Sequence, residues 1–181
     1  MTRHRSQAQG AAPALAALVL ACTVSAEPAD TVSGQASLNA QVVDLAHGLA
    51  FLGPRHDVNV GLFAATPSAA DTATAVRDGI DSAFGVTSPA KGAYVLLKLS
   101  FPKGATRADQ VDMCEIDFYN FTDSPQQTMW LGADQCGVVE VGGDLKPGGV
   151  VHGRLKGPAE PPSGKKYTWD LAFTTTLQAG K

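Results

Sequence analysis

Residues 93–101 read Ala-Tyr-Val-Leu-Leu-Lys-Leu-Ser-Phe, and this stretch decides the fold class. Ala93, Val95, Leu97, Leu99 and Phe101 fall on one side of a period of two, and Tyr94, Leu96 and Lys98 on the other. A strand sends successive side chains to opposite faces, so this is a strand pattern. Both faces stay largely apolar as far as Lys98, which predicts a central strand covered on both sides. Pro102-Lys103-Gly104 ends it with turn chemistry.

The same period recurs outward in both directions. Downstream, Cys114, Ile116 and Phe118 alternate with Glu115, Asp117 and Tyr119, which fixes one inward and one outward face. Thr128–Leu131 and Val138–Val141 read as further strands. Gly142-Gly143-Asp144 and Lys146-Pro147-Gly148-Gly149 supply turns into Val150–Leu155. After a polar, Pro-rich loop at 157–166, Tyr167, Trp169, Leu171 and Phe173 alternate with Thr168, Asp170, Ala172 and Thr174. Upstream, Val58, Val60 and Leu62 form one strand, Leu49–Leu52 another, and the alternation at Ala36–Val42 a third.

Residues 66–85 break the rhythm. Ser68-x-x-Asp71 fits a capping box, Val76, Ile80 and Phe84 fall at helical spacing, and Gly85 stands at the C-terminal cap. The spacing predicts one amphipathic helix over 68–84, weakened at Gly79. About eight short strands with Gly and Pro punctuation and one helix predict a mainly β chain, an antiparallel β-sandwich.

The N-terminus reads as an address. Arg3, His4 and Arg5 precede an apolar run from Ala11 to Ala21, and Val24-Ser25-Ala26 has the small-x-small form of a cleavage site. The run is shorter than the ~20 residues that cross a bilayer. The expectation is a signal peptide at 1–26, a flexible lead at 27–34 and a single β domain at 35–181. Val19-Leu20-Ala21-Cys22 also resembles a bacterial lipobox, in which Cys22 would be lipidated; the fit at Val24-Ser25-Ala26 favours ordinary cleavage. Either route predicts export, to the periplasm or medium, or to the outer membrane as a lipoprotein. The membrane is a partner only if Cys22 carries lipid.

The chain has 181 residues, 44% apolar and 17% charged, with a net charge of −3. That apolar share excludes a largely disordered chain. Loss of residues 1–26 removes Arg3 and Arg5 and no acid, so the remainder is more acidic still. A nucleic-acid partner is not expected. Apart from Cys22 the cysteines are Cys114 and Cys136, which in an exported chain predict one disulfide.

Candidate chemistry is sparse. His47, His56 and His152 lack the H-x-H or H-E-x-x-H spacing that places two ligands on one face, so no metal centre is expected. Asp109, Asp112, Glu115 and Asp117 crowd together without the glycine-containing turn of a calcium loop. There is no G-x-S-x-G elbow, and the Gly pairs lead into strands rather than helices, so no catalytic residue and no cofactor is assigned. The outward residues Glu115, Asp117 and Tyr119, with Trp130, form the candidate contact surface for a protein or glycan. The leading expectation is therefore a non-enzymatic binding or structural module. The alternatives are a hydrolase assembled from these acids and a histidine, and a lipid-anchored structural protein.

Overall fold

The computed structural model describes residues 30–55, 57–85, 91–121, 124–132, 135–157 and 167–180, without the side chains of 124–132. The leader, with Cys22 and the cleavage site at Ala26, lies outside the described residues, as does His56. The elements are β1 (Thr31–Leu38), β2 (Gln41–Asp44), β3 (His47–Leu52), β4 (Val58–Phe63), α1 (Ala69–Asp78), α2 (Ile80–Phe84), β5 (Tyr94–Ser100), β6 (Met113–Phe121), β7 (Ser124–Gly132), β8 (Val138–Gly143), β9 (Val150–Lys156) and β10 (Tyr167–Ala179).

The chain is mainly β, as its alternation predicts. Its strands form one curled sheet in the order β2-β1-β10-β3-β4-β5-β6-β7, with β9 on the other side of β10 and β8 beyond it. β10 joins the two halves. Tyr167–Thr174 pair antiparallel with β1 and Asp170–Thr176 with β9, while Leu177–Ala179 run parallel to Ala50–Leu52 of β3. Every other pairing is antiparallel.

The curl encloses the main core. Trp169, Leu171 and Phe173 of β10 and Leu155 of β9 belong to one buried cluster with Val60, Leu97, Leu99, Ile116 and Phe118. The Phe118 and Trp169 rings meet at 6.3 Å between centroids. Cys114 on β6 and Cys136 before β8 form the expected disulfide, Cα to Cα 6.1 Å, between the two halves.

A second cluster lies on the outer face of β3–β6, under the helices: Phe51, Phe63, Ala75, Ile80, Ala83, Phe84, Tyr94, Leu96 and Tyr119. This is why β5 is apolar on both faces. Burying Tyr94 and Leu96 on one side and Val95 and Leu97 on the other removes a large apolar area from water, the main driving force for this layer.

Three local expectations are corrected. The helix is two helices, because Gly79 takes φ 94°, which no helix accommodates. The capping box is present: the Ser68 hydroxyl accepts from the Asp71 N–H at 3.0 Å and donates to the Asp71 carboxylate at 2.7 Å. The lead is not loose throughout, since Thr31–Gly34 already pair with Leu171–Thr174. The alternation at Ala36–Val42 is not one strand. Asn39 and Ala40 both have positive φ, 52° and 77°, and turn the chain into the β1–β2 hairpin.

Candidate functional site

The helices reach the sheet because β4 carries no side chain where they land. A Cβ on Gly61 would come within 2.5 Å of the Phe63 ring and 3.2 Å of Ile80. With hydrogen there instead, Ile80 and Phe63 close over β4, and Ile80, Ala83 and Phe84 are all buried. The far end of α2 is held firmly. Tyr94 donates its hydroxyl to the Phe84 carbonyl at 2.5 Å, the Lys91 ammonium donates to the Ala83 carbonyl, and Lys91 pairs with Asp71 at 3.0 Å. Burial pushes the Tyr94 hydroxyl pKa up, and hydrogen bonds from Ser68 and Lys91 lower that of Asp71.

The near end of α2 stands over a cleft of about 190 Å³. Asp81 of α2 faces it from one side, and Asn59, Leu96, Lys98, Glu115 and Asp117 line the sheet side. Leu96 is opposite Asp117 and Lys98 opposite Glu115 in the β5–β6 register, while Asn59 of β4 is opposite Lys98. Three carboxylates therefore share the space with one ammonium, and Lys98 also stands 4.0 Å from Asp57. Burial first, then the charges of Asp117 and Asp81, raise the Glu115 pKa above its ordinary value, against the opposing pull of Lys98. Such a cleft holds excess negative charge partly shielded from water, where a cation gains more than it would on an open surface.

The candidate contact surface is thus split. Glu115 and Asp117 lie in the cleft. Tyr119 does not belong to an exposed face: it is buried and stacks on Tyr94 at 4.9 Å between centroids, because the helices cover its end of β6. Trp130 of β7 is opposite Glu115 in register, and its side chain lies outside the described residues. Asp109 and Asp112 are exposed in the loop before β6, away from the cleft lining.

The described histidines, His47 and His152, do not join the acids of the cleft. His47 begins β3, with its Nε2 3.3 Å from the Thr66 hydroxyl, and His152 of β9 stands 3.6 Å from Glu140. No group of three or more metal-ligating side chains occurs among the described residues. Asn59, Asp81 and Lys98 were not singled out from sequence. Lys98 was legible as an outward residue of a central strand, but Asp81 arrives from a separate segment, and no local pattern announces it.

No helix among the described residues is long and apolar enough to cross a membrane. In comparisons with known proteins, no family model, no curated protein and no solved structure matches the chain.

Proposed function

We propose that the chain is an exported, non-enzymatic binding module that receives a basic side chain of a protein partner in the cleft beneath α2. The observation that carries this reading is the convergence of Asp81, from a helix, with Glu115 and Asp117, from a strand, around one space. A lysine or arginine side chain suits it: the cationic head meets the carboxylates and the aliphatic stem lies along Leu96. A protein partner is favoured over a glycan because Tyr119, a ring that would stack on a sugar, is buried. Export is supported by the basic start, the apolar run and the Val24-Ser25-Ala26 site.

Titrating the chain into fluorescently labelled lysine-rich and neutral peptides, read by anisotropy, tests the binding. The lysine-rich peptide should bind with an affinity that falls with salt, and the double variant Glu115→Gln, Asp117→Asn should weaken it at least tenfold while melting cooperatively. Equal binding of both peptides, or unchanged binding by the variant, rejects the reading. Mass spectrometry of the secreted or membrane fraction tests export, with Glu27 as the expected first residue. A lipid-modified Cys22 at the N-terminus would replace ordinary cleavage with anchoring.

A further inference from the structure

We propose that β7 is a self-association edge, which pairs antiparallel with β7 of a second copy of the chain across a two-fold axis. The inference goes beyond the binding reading and makes no use of the cleft.

The direction of each backbone group on β7 follows from bonds further back in the sheet. The Ala64 N–H bonds the Ala93 carbonyl, and the Gly53 N–H bonds that of Asp57. Even-numbered residues of β4 therefore face β5, and odd-numbered ones face β3. In an antiparallel ladder successive residues turn their N–H and C=O to opposite sides. Carried through the registers of β5 and β6, this alternation sets Cys114, Ile116 and Phe118 against Leu131, Met129 and Gln127. Gln126, Thr128, Trp130 and Gly132 then direct their N–H and C=O away from β6, to a side where no described strand lies.

The other edges are blunted, as edges of soluble sheets usually are. β2 has four residues and ends at Asp44. β8 is broken by a bulge between Val138 and Glu140, and its Gly143 carbonyl takes the Ala108 N–H beside the Arg107–Asp144 pair. β7 has nine residues, none of them charged. Pro125 leaves its outer edge intact, because the missing N–H falls on the β6 side, where the register skips a pair.

A second copy fits this edge. With Met129 on the axis, Thr128 of each copy stands opposite Trp130 of the other and Gln126 opposite Gly132, so every outward group is paired. No like charges meet within the joined strands. Glu115 and Asp117 of β6 lie three strand spacings from their counterparts, about 14 Å, beyond the screening length of about 8 Å at physiological salt. A foreign strand would have to bring this uncharged complement, whereas a second copy presents it by symmetry.

Sedimentation equilibrium of the full chain at rising concentration tests the pairing, and the mass should climb from that of one chain toward that of two. Thr128→Pro removes an outward N–H and spares the β6 ladder, and Thr128→Lys sets a charge near the axis on each copy. Either should raise the dimer dissociation constant at least tenfold; should the proline variant fail to fold, the lysine variant decides. Amide hydrogen exchange supplies the second readout. Gln127, Met129 and Leu131 should be protected at every concentration, whereas Gln126, Thr128, Trp130 and Gly132 should gain protection as dimer forms. A dimer that both variants leave unchanged, or outward amides equally protected in dilute and concentrated samples, overturns the proposal. So does a chain that stays monomeric, which would leave the edge to a strand of another protein.

Discussion

The indole N–H of Trp169 donates to the carbonyl of Cys136 at 3.0 Å, so β10 is tied to the disulfide that links the two halves of the sheet. The bond lies in the buried core, where its loss would leave a polar group unpaired.

Removing the disulfide with Cys114→Ala, Cys136→Ala should cost about what the chain constraint contributes, because the carbonyl that Trp169 bonds belongs to the backbone and remains. Closing a loop of this length contributes roughly 3 kcal/mol. Urea unfolding followed by tryptophan fluorescence should show an unfolding free energy lowered by about that amount, with the mainly β far-ultraviolet spectrum retained below the midpoint. An unchanged midpoint would mean that the bond adds nothing to the fold.

Ala40 sits at φ 77° in a two-residue turn whose other member, Asn39, also has positive φ. A side chain there is strained, and Asn-Gly is the favoured pair for such hairpins. Ala40→Gly should raise stability by roughly 0.5–1 kcal/mol, the relief of strain exceeding the entropy that glycine loses. A matched pair of denaturant curves checks the sign.

Thr175 points into the core from β10, 1% exposed, and its hydroxyl has no hydrogen-bond partner among the described residues. Replacing a buried, unpaired hydroxyl with a methyl of similar shape removes a desolvation cost. Thr175→Val should stabilise the chain by about 1–2 kcal/mol, whereas Thr175→Ser should not. Equal or lower stability of the valine variant in thermal melts would show that the hydroxyl is satisfied.

Glu115 gives a pH dependence of unusual sign. Its folded-state pKa is raised by burial, Asp117 and Asp81, so the folded chain holds this proton more tightly than the unfolded one. Its contribution is fully present below the ordinary value of 4.5 and is lost as pH rises through the raised folded value. Wild type should lose stability relative to Glu115→Gln between pH 4 and pH 7, and the variant should be the more stable at neutrality. Denaturation midpoints across that range measure the gap, and a gap that does not widen with pH contradicts the assignment.

Where a residue has only two choices, in or out, the sequence pattern was sufficient. Val95, Leu97 and Leu99 went to the curled core and Tyr94 and Leu96 to the helix-covered face, as their alternation requires. Two failures have a common cause. Alanine at position 40 is a weak turn signal, so the Asn39–Ala40 reversal was hidden inside an uninterrupted period of two. Gly79 was visible as a weak point, but only packing decides whether a helix bends or stops there. The cleft was half legible: strand alternation put Glu115 and Asp117 side by side. Asp81 joins them only because Gly61 leaves room for Ile80, a tertiary coincidence with no local signature.

The position of β10 has a consequence for how the molecule comes into being. It follows every other strand in the chain, yet it lies between β1 and β9 and reaches β3. Of the earlier strands, β1, β3 and β9 lack this neighbour until synthesis has passed residue 179. The run β3–β7 and its helices can pair among themselves before then, but the interior that Trp169, Leu171, Phe173 and Leu177 fill is sealed last.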